Sequence, residues 1–317
     1  MTQTAKAQTA KTQTAKTQTA KTQAAKTQTA TLPWTHYLPW TDRRGRLARI
    51  KLAAFVLALA PGLVLAAQWA GGTLGARPLN AVIHGTGLWA IRFLLISLAV
   101  TPARFVFDAP KVFTVRRMLG LTALAYALIH LGLYVGYQGF DLLKVGSEIV
   151  RRVYLTIGFV ALLGLVALGV TSTDSMMRRL GKRWKRLHRL VYGIAVLGLL
   201  HHFMQAKADV SPAVLVAGFY VCLMLYRALP VRQRINPAAL VALAVGASAG
   251  AMAIEFAWYG LATRINPWRV FDANFAFAYG IRPAVWVGIV GLGVAAFVAT
   301  RRAVAVLTLR RAASPAA

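Results

Sequence analysis

Long apolar runs separated by short polar segments dominate the chain from about residue 50 onward. Each run is close to the roughly 20 residues that an α-helix needs to cross the hydrocarbon core of a bilayer. The pattern predicts eight membrane-spanning helices, at residues 50–70, 81–101, 118–138, 153–171, 189–206, 212–228, 237–261 and 283–300. The fold is therefore predicted to be that of an all-α integral membrane protein.

Residues 2–31 follow a different pattern, in which a five-residue unit of Thr, Gln, Ala and Lys recurs. Bulky apolar side chains are almost absent there, so burial cannot offset the entropy lost on ordering the segment. We predict a disordered cationic tail with a weak attraction to anionic membrane lipid. A signal peptide is not expected, because the charged stretch is long and no cleavage pattern follows it.

Composition supports the membrane assignment, since 58% of the 317 residues are hydrophobic and the mean hydropathy is +0.57. The formal net charge of +29 suggests a nucleic-acid partner at first sight. However, the Lys and Arg residues lie in the tail and between the apolar runs, as the positive-inside rule expects. We therefore predict no nucleic-acid partner. The strongly basic connectors all fall on one side if both termini are cytoplasmic.

Three histidines inside apolar stretches are the main candidates for chemistry: His130, His188 and His201. Ionisable side chains at membrane depth are costly and often functional, and histidine commonly holds haem iron. His130 follows Arg117 by 13 residues and His201 follows His188 by 13, about 20 Å along each helix. The equal depth predicts a haem between His130 and His201. The alternative is a pair of polar residues that pack between helices.

A second, inner haem is a weaker prediction, because His188 has no histidine counterpart on the third predicted helix. The matching position is Arg116, whose guanidinium stays protonated and is a poor metal ligand. Arg116 would instead pair with haem propionates. The equally weighted alternative is that Arg116 anchors the helix at the membrane surface and that His188 is a helix-end residue.

Helix geometry leaves the choice of ligand on the fifth predicted helix open. Thirteen residues rotate an ideal helix well away from its starting face, whereas fourteen return close to it. His202 therefore shares a face with His188, and His201 needs a bulge or a separate direction for each haem. His84, near the outer end of the second predicted helix, either approaches the outer haem or caps that helix.

The last two predicted helices contain no histidine and suggest an extension added to a core. We predict a tail at residues 1–40, a six-helix haem-binding core at 41–234, and at 235–317 two additional C-terminal transmembrane helices with a cytoplasmic end. Gly246 and Gly250 form a small-xxx-small pattern that favours close helix packing.

Several motifs then resemble the ferric-reductase-like transmembrane family. They are HGTGLWAIRFLLISLAVTP at 84–102, VRRMLGLTALAYALIH at 115–130 and GKRWKRLHRLVYG at 181–193. Within that family the chain is similar to haem-binding membrane subunits of periplasmic methionine sulfoxide reductase systems. The resemblance covers about residues 45–230, leaving out the tail and the last two predicted helices.

The resemblance implies electron transfer through haem b in a bacterial inner membrane. Electrons would come from quinol or a cytoplasmic flavin reductase and pass to a periplasmic molybdenum-containing catalytic subunit. FMN binding is also implied, without a motif that locates it. The 13-residue spacing resembles that of NADPH-oxidase haem proteins and favours His201 over His202. Those relatives carry two histidines on the third helix, and Arg116 takes the place of one of them in this chain. The number of haems, one or two, therefore remains open.

Two other classes of function compete with this interpretation. A self-standing quinol or ferric reductase cytochrome b would share the haem and differ in its electron acceptor. A polar-lined transporter is disfavoured, because such proteins carry structural repeats and interrupted helices, whereas no convincing repeat is evident between the halves of this sequence.

Overall fold

The computed structural model describes residues 38–41, 45–206 and 209–313. Nearly all of the predicted tail at residues 1–40 lies outside these ranges. The chain divides into a short unit, residues 1–53, and a large unit, residues 54–317. In the short unit, an isolated bridge joins Thr41 to Leu47, and the Lys51 ammonium donates to the Thr41 carbonyl at 2.8 Å.

Regular structure in the described residues is helical, with no named strand, which confirms the all-α prediction. The α-helices are α1 Arg49–Ala70, α2 Pro78–Val106, α3 Arg116–Tyr137, α4 Leu142–Arg151, α5 Val153–Val170, α6 Asp174–Leu180, α7 Lys182–His188, α8 Leu190–Gln205, α9 Ser211–Ala228, α10 Pro237–Ala262, α11 Pro267–Ala273 and α12 Pro283–Ala313. A 3₁₀ helix, Pro110–Val115, leads directly into α3.

Eight helical segments in the described residues are long and apolar enough to cross a membrane, as predicted. Six of them are single helices, the third adds the 3₁₀ turn to α3, and the fifth combines α7 and α8. The chain is therefore a multi-pass membrane protein. The third and fifth segments begin earlier than predicted, at Pro110 instead of residue 118 and at Lys182 instead of residue 189, and the eighth ends at Thr308 instead of residue 300. The fifth segment also contains a break at Arg189.

Local sequence explains where several helices begin. Asn236 and Asn266 each precede a proline, and each side chain accepts a hydrogen bond from the backbone N–H two residues later. Such N-caps satisfy an N–H that has no partner inside the helix, and proline in the first turn has no N–H to lose. Thr173 caps α6 in the same way by accepting from the Met176 N–H.

The core of the large unit lies between α2, α3, α5, α8 and α9, and it continues into the last two spans. Val214 on α9, Ala251 on α10 and Val287 on α12 are fully buried in the same apolar cluster. Gly218 on α9 permits this packing, because a Cβ there would lie 2.6 Å from a Val287 methyl group. The division into a six-helix core and a two-helix extension remains a prediction.

Candidate functional site

His130 projects from α3 towards α2, and the backbone of α2 fixes its ring. The Nδ1 atom of His130 lies 2.7 Å from the carbonyl oxygen of Ile83. A carbonyl oxygen only accepts, so Nδ1 carries the proton and donates. The proton on Nδ1 leaves Nε2 with a free lone pair, which is the form of imidazole that binds a metal.

His201 is held in the same way by a different pair of helices. Its Nδ1 atom lies 2.7 Å from the carbonyl oxygen of Tyr154 on α5, so this ring also donates from Nδ1. Its Nε2 atom is therefore the available ligand.

The two rings are neighbours in an edge-to-face arrangement, with their centroids 6.2 Å apart and their planes at 79°. Two bonds from a metal to imidazole nitrogen are roughly 2 Å each, and about 1 Å more reaches each ring centre, giving about 6 Å in all. The separation therefore fits a single iron held by two histidines. The described residues contain no group of three or more His, Cys, Asp or Glu side chains that could hold a metal.

A cavity of about 300 Å³ surrounds this pair, and both rings line it. Its walls are mainly apolar, as a haem ring requires, with Leu94 and Phe159 among the lining residues. His84 and His202 line the same cavity. The Nε2 atom of His202 is buried without a hydrogen-bond partner. His84 is exposed and lies well inside α2, which begins at Pro78, so it does not cap the helix.

Polar residues gather where α3 ends and α5 begins, and Gln138, Arg152 and Tyr154 line the cavity there. The Arg152 guanidinium donates to the Tyr154 hydroxyl at 3.3 Å and pairs with Glu148 on α4. The Tyr154 hydrogen bond and then the nearby negative charge raise the pKa of Arg152 above its usual value. Arg152 and Glu148 therefore form an ion pair at the edge of the cavity.

The inner candidates lie apart from this cavity. The His188 ring stacks on Trp184, with centroids 4.0 Å apart, and its Nε2 atom lies 3.2 Å from the Thr171 hydroxyl. Trp184 donates to the Thr171 carbonyl at 2.9 Å. These contacts place His188 at the junction of α5 and α7, with its Nε2 atom beside the Thr171 hydroxyl.

Arg116 begins α3 and is close enough to His188 to interact with it electrostatically. Its guanidinium lies 5.9 Å from the centre of the Phe113 ring. The next residue, Arg117, forms an ion pair with Asp174. The described residues around His188 therefore supply cations and no second histidine.

The groups that orient the two rings are hard to recognise in the sequence. Ile83 and Tyr154 contribute only backbone carbonyls, which any residue can provide. A repeated spacing is the one available signal, because 47 positions separate the acceptor from the histidine in both pairs.

Comparison with known proteins places this arrangement in a family. The family described as "Ferric reductase like transmembrane component" matches residues 86–199. A methionine sulfoxide reductase haem-binding subunit MsrQ from Rhodospirillum rubrum is 47% identical over 193 residues, covering 60% of this chain and 92% of the relative. The chain belongs to the MsrQ family. MsrQ proteins from Xanthomonas euvesicatoria and Caulobacter vibrioides are 43% and 40% identical, over 84% and 78% of their lengths and 56% and 50% of this chain.

No solved structure matches the chain. The match to the MsrQ family confirms the resemblance inferred from the motifs. The alignment with the Rhodospirillum rubrum protein covers 60% of this chain, so about two fifths of the chain has no counterpart in that relative.

Proposed function

We propose that this chain is a membrane haem subunit that carries electrons to a periplasmic methionine sulfoxide reductase. The observation that carries the proposal is the neighbouring pair of His130 and His201, each with Nδ1 bound to a backbone carbonyl. The names of the MsrQ relatives, which are described as haem-binding subunits, support it. Haem held by these two histidines would supply a one-electron carrier inside the bilayer.

The residues around the pair perform the tasks that such a carrier needs. Apolar side chains from α2, α3 and α5 form most of the cavity wall. His130 and His201 would together hold the haem iron, which would supply one-electron redox chemistry when bound. Arg152, which pairs with Glu148, lines the cavity and would also bind a haem propionate. The site is therefore suited to electron transfer rather than to chemistry on a bound substrate.

We propose one haem b per chain. His188 is engaged by Thr171 and Trp184, and no described histidine faces it. FMN remains a prediction that rests on the family resemblance.

Quinol is the favoured electron donor. His130 lies 13 residues beyond Arg117, so it is about 20 Å along the helix from the proposed cytoplasmic end of α3. Electron tunnelling falls steeply with distance, which disfavours a soluble flavin reductase docked in the cytoplasm. A quinol dissolved in the bilayer can approach more closely. The electron acceptor is a molybdenum-containing subunit, and methionine sulfoxide requires two electrons and two protons to become methionine and water.

We further propose that the protein lies in the bacterial inner membrane with both termini in the cytoplasm. The basic connectors after the second, fourth and sixth spans support this orientation through the positive-inside rule. A reporter fused at the C terminus should be active only as a cytoplasmic fusion.

The decisive test is an absorbance spectrum of the purified full-length chain, followed by addition of a quinol and of the periplasmic catalytic subunit. We expect b-type bands, reduction by quinol and reoxidation on adding the catalytic subunit with methionine sulfoxide. Reduced haem that is reoxidised by ferric iron and not by that subunit would favour a self-standing reductase. Absence of haem from folded protein would refute the proposal.

A further inference from the structure

A short pattern of three positions occurs twice in the large unit. In the first copy, His130 bonds to the carbonyl of Ile83, and Gly87 lies one helical turn after Ile83. In the second copy, His201 bonds to the carbonyl of Tyr154, and Gly158 lies one helical turn after Tyr154. Each residue of the second copy follows its counterpart by the same 71 positions.

The glycine in each copy lies against the imidazole. A Cβ added at Gly158 would lie 2.7 Å from Nδ1 of His201, and one added at Gly87 would lie 3.0 Å from Nδ1 of His130. Cβ contacts under 3.0 Å essentially never occur, and those just above it are rare. Both rings therefore occupy space that any other residue type would fill.

Helix geometry explains why the glycine stands four residues after the carbonyl. The Cα–Cβ bond of a helical residue tilts towards the N terminus, so its side chain covers the preceding turn. A side chain at position i+4 thus covers the carbonyl of residue i. Glycine leaves that carbonyl open to a group from a neighbouring helix. The side chain at position i is not involved, which is why isoleucine and tyrosine are equivalent there.

We infer that Gly87 and Gly158 are positioning residues that let each histidine reach its carbonyl and so set the direction of its Nε2 atom. The inference rests on the proposed haem site, and it adds two residues that do not touch the metal themselves. It also gives a reason for the 79° angle between the ring planes, because each ring is fixed by its own helix pair and not by its partner.

The test compares Gly87→Ala and Gly158→Ala with alanine at Gly132 and Gly193. The two controls lie on α3 and α8, the helices that carry the ligands, and a Cβ added at either meets nothing within 4 Å. Loss of a group that orients a metal ligand typically costs about 10–100-fold in affinity. We expect Gly158→Ala to weaken haem binding by about tenfold or more, Gly87→Ala to weaken it less, and the controls to match the wild type.

Spectroscopy separates positioning from general damage. Nearly perpendicular imidazole planes give a strongly anisotropic low-spin ferric EPR signal. In the fraction of Gly87→Ala that retains haem, that signal and the midpoint potential should shift, because the His130 ring must turn. Unchanged signals, potential and haem content in both glycine variants, with haem present in the wild type, would overturn the inference alone. Haem-free wild-type protein would instead overturn the proposed function.

A double variant keeps the test informative if Gly158→Ala fails to accumulate. In Gly158→Ala combined with His201→Ala, the added methyl group no longer meets an imidazole. We expect the double variant to be as thermally stable without haem as His201→Ala alone, because the two substitutions share one contact. A double variant that is clearly less stable would show that Gly158 serves the backbone and not the ring, and would overturn the inference.

Discussion

The indole of Trp258 packs against the ring of Phe203, with the two ring centroids 5.1 Å apart. Phe203 lies two residues after His201 on α8 and is 5% exposed, whereas Trp258 belongs to α10. The seventh span therefore contacts the helix that carries one of the proposed ligands. This contact links the predicted C-terminal extension to the site, although the extension contributes no histidine.

We predict that Trp258→Ala lowers thermal stability and haem retention in detergent. Loss of the contact with Phe203 removes support from the end of α8, at a cost of about 1–3 kcal/mol, less than for a fully buried tryptophan. Melting curves followed by haem absorbance measure the effect. Trp286→Ala is the matched control, because Trp286 lies on α12 and is 45% exposed. Equal losses in both variants would contradict a specific role for the contact.

Residues 40–234 alone should still insert into the membrane, bind haem and accept electrons, because every proposed ligand lies within them. We expect lower stability, since Ala251 and Val287 leave the apolar cluster that they share with α9. The haem-to-protein ratio of the truncated chain, compared with the full chain, is the measurement. A truncated chain that reaches the membrane without haem would show that the last two spans are part of the site.

His130→Ala and His201→Ala should each lower the haem-to-protein ratio by at least about tenfold, because ligand loss exceeds the usual cost of losing an orienting group. His202→Ala is the control. His202 lines the same cavity and directly follows His201, but the ring that pairs with His130 is that of His201. Haem content and the absorbance spectrum decide the outcome. A spectrum unchanged in His130→Ala or lost in His202→Ala would show that the ligands are assigned wrongly.

Much of this arrangement follows from periodicity alone. The eight apolar runs predicted the eight spans. The equal depth of His130 and His201 predicted that they form a pair, and their ring centroids lie 6.2 Å apart in the structure. Both predictions depend on distances along single helices, which the sequence encodes directly.

Contacts between helices could not be predicted in the same way. The motif at residues 84–87 contains two glycines, Gly85 and Gly87. Only the position of the neighbouring helix α3 shows that Gly87 is the one that meets the His130 ring. The choice of His201 likewise depends on a neighbouring helix, because the Tyr154 carbonyl on α5 bonds to the His201 ring. Both contacts depend on how each helix is rotated about its own axis relative to its neighbours, which the sequence of a single helix does not determine.

At the inner side, we predict that His188→Ala leaves one haem with an unchanged spectrum. Stability should fall modestly, because the stack on Trp184 and the hydrogen bond with Thr171 are lost. Haem stoichiometry by pyridine haemochrome assay is the measurement, and Trp184→Ala should produce a similar loss of stability. If His188→Ala instead removes about half of the haem and Trp184→Ala does not, a second haem is bound there.

Glu255 on α10 forms a buried ion pair with Arg282, just before α12. The Glu255 carboxylate is 1% exposed and also accepts a hydrogen bond from the Asn274 amide at 3.5 Å. Removing one member of such a pair leaves an uncompensated buried charge, whereas replacing both members with apolar residues is often neutral. The pair therefore joins the two last spans at a point where single substitutions are costly.

We predict that Arg282→Met lowers the free energy of unfolding by about 3–5 kcal/mol. The combination of Arg282→Met with Glu255→Leu should recover most of that loss, because no charge then remains buried. Asn274 keeps its bond to the Val270 carbonyl at 3.1 Å, so the second substitution leaves no unpaired amide donor. Thermal unfolding of the two variants in detergent provides the ranking. The same two spans also pack closely where Gly291 meets Ala244, since a Cβ added at Gly291 would lie 2.6 Å from the Ala244 side chain. A double variant no more stable than Arg282→Met would show that this packing is insufficient and that the two spans need the ion pair itself.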